Sequence, residues 1–80
     1  MSLEDYRKML TKALMDAIDV LRIHGDLVLE HKMNRIEEKY RRILRDVQKA
    51  ESKGDLHRYA EEALSLINEV RKLLLSDVFE

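Results

Sequence analysis

Residues 24–27 read His24-Gly25-Asp26-Leu27, and residues 53–56 read Lys53-Gly54-Asp55-Leu56. Between them they hold both glycines of an 80-residue chain that has no proline. Glycine enters the left-handed conformation without a side-chain clash, which suits the position just past a helix C-terminus. An aspartate side chain accepts hydrogen bonds from the free N–H groups that open the next helix. Gly-Asp therefore reads as a stop followed by a start, with Leu27 and Leu56 as the first apolar residues of new helices. A helical-repeat array needs about three or more similar units, so the repeated phrase reads as punctuation and not as a duplicated module.

The three segments so marked each carry helical periodicity. The first is predicted as a helix over about residues 3–23, with Ser2 as its cap and Asp5 at capping-box spacing. Its broad apolar face gathers Leu3, Tyr6, Met9, Leu10, Ala13, Leu14, Ala17, Val20 and Leu21. The second helix is predicted over about residues 27–52. There Leu29, Met33, Ile36, Tyr40, Ile43, Val47 and Ala50 form a heptad seam of alternating four- and three-residue steps, the pattern of lengthwise packing. The third, over about residues 56–75, places Leu56, Tyr59, Ala60, Ala63, Leu66, Ile67, Val70, Leu73 and Leu74 on one wide face. Val78 and Phe79 follow as a short apolar tail, expected to fold back onto the end of the bundle.

Three amphipathic helices joined by tight turns cannot splay apart without wetting their apolar faces. The fold predicted is an all-α, up-down-up three-helix bundle forming a single domain over residues 1–80. Hydrophobic residues at 45% exceed the content of a disordered chain, and charged residues at 39% exceed that of a membrane protein. Without cysteine there is neither a disulfide framework nor a thiolate metal site. No apolar run approaches the roughly 20 residues of a membrane span, and no secretory-signal pattern opens the chain. A cytoplasmic protein is the expectation.

The sequence offers little to a catalyst. None of His24, His31 and His57 stands in a His-Glu-x-x-His arrangement or three residues after a carboxylate, as bundle metal sites require. His24 reads as a residue near the negative end of a helix dipole, and His31 and His57 read as solvated. Glu37-Glu38 and Glu61-Glu62 diverge by about 100° around their helices, whereas acid–base work needs carboxylates that converge. Glycines at 25 and 54 alone build no phosphate loop, and Ser2, Ser52, Ser65 and Ser76 mark no nucleophile elbow. No enzyme, metal or cofactor is expected. Tyr6, Tyr40 and Tyr59 lie on apolar faces, as core or interface anchors whose hydroxyls reach the edge.

The formal charge of −1 exerts no global pull on nucleic acid, so such binding would need a local patch. Arg35, Lys39, Arg42, Arg45 and Lys49 supply a candidate, a stripe on the second helix that could follow a phosphate backbone. Against it, Glu37 and Glu38 precede Arg41 and Arg42 by four residues, the favourable order for helix ion pairs, and Asp46 interrupts the stripe.

Tyr6-Arg7-Lys8-Met9-Leu10 with Ala13-Leu14, the turn Lys53-Gly54-Asp55-Leu56 and the closing Ser76-Asp77-Val78-Phe79 carry a resemblance. In length and in the order of these motifs the chain resembles a family of short archaeal proteins of unknown function that fold as three-helix bundles. The resemblance implies that fold and an archaeal origin, and transfers no activity.

The apolar faces of the first and third helices exceed what a minimal bundle must bury, and surplus apolar surface marks a partner interface. The function expected is therefore a non-catalytic helical protein–protein interaction or self-association module, with homodimerisation favoured. Val20, Leu66, Leu73, Val78 and Phe79 are its candidate interface residues. A small nucleic-acid-binding protein using the basic stripe is the alternative.

Overall fold

Three helices follow in order: α1 (Leu3–His24), α2 (Glu30–Lys49) and α3 (Lys53–Phe79). They are described by a computed structural model covering residues 2–24, 28 and 30–79, the last four through their backbone. Each helix packs against the other two, forming the expected three-helix bundle. Direction follows from the pairings. Arg7 near the start of α1 bonds carbonyls of Gln48 and Ala50 at the end of α2, while Arg22 near the end of α1 reaches Glu37. Lys39 of α2 meets Glu69 of α3, and Tyr6 meets His57, so α2 runs antiparallel to both neighbours while α1 and α3 run parallel. The bundle measures 42 × 20 × 17 Å. Its length is that of α3, whose 27 residues at about 1.5 Å each span about 40 Å.

The core is a stack of narrow stripes. Leu10, Leu14, Ile18 and Leu21 come from α1, and Ile36, Ile43 and Val47 from α2, with Ala50 just beyond it. Leu56, Ala63, Leu66 and Val70 come from α3. No charged or polar residue is buried among those described. Tyr6, Tyr40 and Tyr59 sit half-buried against this core, as amphipathic anchors should. The broad face read from the first segment divides, however. Ile18, absent from that face, is fully buried, whereas Met9, Ala13 and Val20 are exposed. In a three-membered bundle only the arc between the directions of the two neighbours is covered, and those three residues lie outside it.

The joint between α2 and α3 forms differently from its expected chemistry. Ser52, not Asp55, is the cap: its Oγ accepts a hydrogen bond from the Asp55 N–H at 3.1 Å, and its carbonyl accepts from the Leu56 N–H at 3.1 Å. Ser2 repeats the same geometry with Asp5 and Tyr6 at the start of α1, as its spacing predicted. α3 consequently begins at Lys53, and Gly54 lies inside its first turn without a positive φ. α2 ends at Lys49, earlier than predicted, and the orphaned carbonyls there are satisfied by Arg7. The expectations for Gly25, Asp26, Leu27 and Leu29 lie outside the described residues.

The C-terminal tail is corrected as well. α3 continues as one helix through Phe79, so the backbone of Val78 and Phe79 extends the rod instead of folding back. No proline or glycine follows Gly54 to interrupt the helix.

Candidate functional site

Grooves flank α3 on both sides, and the residues read from the sequence distribute unequally between the two sides. The α1–α3 groove, of about 330 Å³, is lined by Ala17, Val20, Ile67, Val70, Leu74 and Leu75, with Arg71 as its charged member. Around it stand four large apolar side chains in water: Met9 at 50% exposure, Val20 at 45%, Leu64 at 61% and Leu75 at 50%. At helical spacing they occupy one side of the bundle, the side away from α2. Ala13 and Ala17 lie between Met9 and Val20, and their small side chains leave room for another helix to approach. Ile23 is exposed at the margin of this row, and Met15, also exposed, lies farther around α1.

Of the candidate interface residues, Val20 belongs to this side. Leu66 does not: at 3% exposure it is a core residue, turned between α1 and α2 by its position on the inner line of α3. Leu73 is half-buried in the opposite groove, between α2 and α3. The side chains of Val78 and Phe79 lie outside the described residues. Met9, Leu64 and Leu75 stand exposed on this side without being among the candidates read from the sequence. The available signal was that Leu64 and Met9 each sit one residue from a core position, Ala63 and Leu10, on the flank away from α2.

The basic stripe of α2 is only partly free. Arg35, Arg42, Arg45 and Lys49 are exposed, and among the described residues none lies within ion-pair distance of a carboxylate. Lys39, by contrast, bonds Glu69 at 2.9 Å across the α2–α3 seam. The predicted Glu37–Arg41 and Glu38–Arg42 pairs are not formed among the described residues. Glu37 instead bonds Arg22 of α1 at 3.0 Å, because a residue bordering the core reaches the neighbouring helix more readily than its own outer face.

The histidines stay apart. His24 and His31 are exposed, and His57 shares a hydrogen bond with the Tyr6 hydroxyl at 2.7 Å, the two rings meeting edge to face. Among the described residues no three His, Asp or Glu side chains gather as metal ligands would. None of the described helices is long and apolar enough to cross a membrane.

The sequence matches no known protein-family model, and comparison with curated proteins and with solved structures finds no significant similarity. The functional reading therefore rests on the grooves beside α3.

Proposed function

We propose that the chain is a non-catalytic helical module that self-associates through the exposed side of α1 and α3. The observation that carries this reading is the row Met9, Val20, Leu64 and Leu75, each of which keeps between 45% and 61% of its surface in water beside an apolar groove. Burying each such side chain is worth about 1.5–3 kcal/mol when complete, so leaving four of them wet on so small a domain favours a cover.

A second copy suits the face in size and charge. The bundle as a whole projects at most 42 by 20 Å, of the same order as the roughly 800 Å² that each partner contributes to an interface of standard size. Because α1 and α3 run parallel, a two-fold axis along the bundle sets each α1 row opposite the α3 row of the other copy. Asp16, which Lys12 already meets at 3.3 Å, borders the α1 row at about the height of Arg71, which borders the α3 row and has no carboxylate within ion-pair distance among the described residues. The two-fold arrangement therefore opposes unlike charges twice around an apolar centre.

Sedimentation equilibrium from micromolar to millimolar chain tests the reading. A monomer–dimer equilibrium is the expected result, and a strict monomer over that range rules self-association out.

A nucleic-acid reading of α2 retains support from the exposed Arg35, Arg42, Arg45 and Lys49. It predicts oligonucleotide binding that falls steeply with salt. Absence of binding at low ionic strength removes it.

A further inference from the structure

The charge on the α2–α3 side is not spread evenly along the seam. Towards the start of α2, a groove of about 370 Å³ is lined by Lys32, Arg35 and Ile36 of α2 and by Glu69, Lys72 and Leu73 of α3. Two helical turns along, a smaller groove of about 140 Å³ sets Lys39 and Arg42 against Glu62 and Glu69. That second groove is balanced, two cations facing two carboxylates. In the first, three cations face Glu69 alone among the described residues, and Glu69 is already bonded to Lys39 at 2.9 Å. Lys32, Arg35 and Lys72 have no ion-pair partner among the described residues. Three like charges around one groove repel one another, and an anion bound among them relieves that repulsion. The wall between them is apolar, formed by Ile36 and Leu73.

We propose that this groove binds a small organic phosphate, a phosphate ester or diphosphate whose charge meets Lys32, Arg35 and Lys72 while its ring or chain lies on Ile36 and Leu73. Arg35 offers a planar fork suited to two phosphate oxygens, and the lysines act as point charges from either helix. The volume lies at the lower end of the range for small-molecule sites, which fits a ligand no larger than a nucleoside diphosphate. The site differs from the α2 stripe in needing Lys72, a residue of α3. It also lies away from the α1–α3 side, so it is independent of self-association.

Titration of isotope-labelled protein with sodium pyrophosphate and with ADP at low ionic strength, followed by amide chemical shifts, tests the proposal. Saturable shifts are expected around residues 32–36 and 69–73, with ADP tighter than pyrophosphate because only ADP has a ring for the apolar wall. Lys72→Glu and Arg35→Glu should each weaken ADP by about tenfold or more, the size of one charge-assisted hydrogen bond, while Arg45→Glu changes it by less than about twofold. Circular dichroism checks that each variant is folded. The proposal is overturned if neither probe saturates, if ADP binds no tighter than pyrophosphate, or if Arg45→Glu costs as much as Lys72→Glu. It is equally overturned if a single-stranded oligonucleotide binds more tightly than ADP and depends on Arg45 as much as on Lys72, which would make the whole stripe a nucleic-acid track.

Discussion

Nη2 of Arg7 donates a hydrogen bond to the carbonyl oxygen of Ala50 at 2.8 Å, while Nη1 of the same guanidinium bonds the carbonyl of Gln48. A side chain from the second turn of α1 thus closes the end of α2. The last carbonyls of a helix have no partner within it, and a cation there also meets the negative end of the helix dipole. Glu4 stands on the other side, its carboxylate 3.3 Å from Arg7 Nε, within ion-pair distance but without a hydrogen bond to that nitrogen. One residue therefore fixes where α2 stops and how α1 lies beside it.

Arg7→Ala should destabilise the bundle by about 1.5–3 kcal/mol, since it leaves two carbonyls without a charged donor. Arg7→Lys should recover only part of that loss, because an ammonium cannot present a rigid fork to two acceptors. Urea denaturation of the three proteins measures both. Equal stability of Arg7→Ala and the parent would show that water replaces the guanidinium at no cost.

Gly54→Ala should stabilise the protein by up to about 1 kcal/mol. Gly54 has no positive φ, and a methyl group at its Cβ position would come no closer than 3.8 Å to its nearest neighbour, Ser52 Oγ. An alanine there costs the folded state nothing and narrows the unfolded ensemble. Had the glycine served as a left-handed stop, the same substitution would destabilise by about 1–2 kcal/mol, so the sign of the shift in thermal midpoint decides between the two geometries.

Ser52→Ala should cost about 1 kcal/mol by removing the oxygen that accepts the Asp55 N–H. Ser52→Asp should restore most of it, because a carboxylate accepts the same bond and favours the positive end of the α3 dipole. A thermal melt of the pair checks the assignment of the cap to residue 52 and not to residue 55.

Leu14→Ala should cost about 2–5 kcal/mol, whereas Met15→Ala should stay within about 0.5 kcal/mol. The two residues are adjacent, yet Leu14 is 1% exposed and Met15 is 47% exposed. The first substitution removes a large part of the stability that an 80-residue domain commands. Chemical denaturation of both variants locates the inner line of α1.

Leu64→Glu should leave the far-ultraviolet circular dichroism unchanged and abolish self-association. Its side chain stands 61% exposed in the monomer, while a two-fold dimer would desolvate the new charge twice. Leu66→Glu, two residues on, should instead unfold the chain, because Leu66 lies in the core. Parallel sedimentation and dichroism measurements separate the two effects.

The periodicity of Leu10, Leu14 and Leu21, of Ile36, Ile43 and Val47, and of Leu56, Ala63 and Val70 was legible before any coordinates. So was the cap at Ser2, because Ser-x-x-Asp is a local pattern with a local hydrogen bond. Ser52-x-x-Asp55 carries the same pattern but encloses a glycine that signals a stop, a competition among local signals that only the backbone angles resolve. Ile18 lies beyond the edge of the apolar face of α1 because Met9 and Val20 shift the centre of that face away from the buried line.

The sequence alone determined that the chain makes three helices, roughly where each runs and which residues are apolar, since hydrogen bonding to the fourth residue back and the 100° step are properties of neighbouring residues. Tertiary structure decided which part of each apolar face became core and which stayed wet, as between Leu66 and Leu64. It also decided that Arg7 rather than a glycine ends α2, and that Lys39 is bound to Glu69 while Lys72 is left facing a groove. These outcomes depend on the direction in which one helix meets the next, and that direction is set by the packing of side chains distant in the chain.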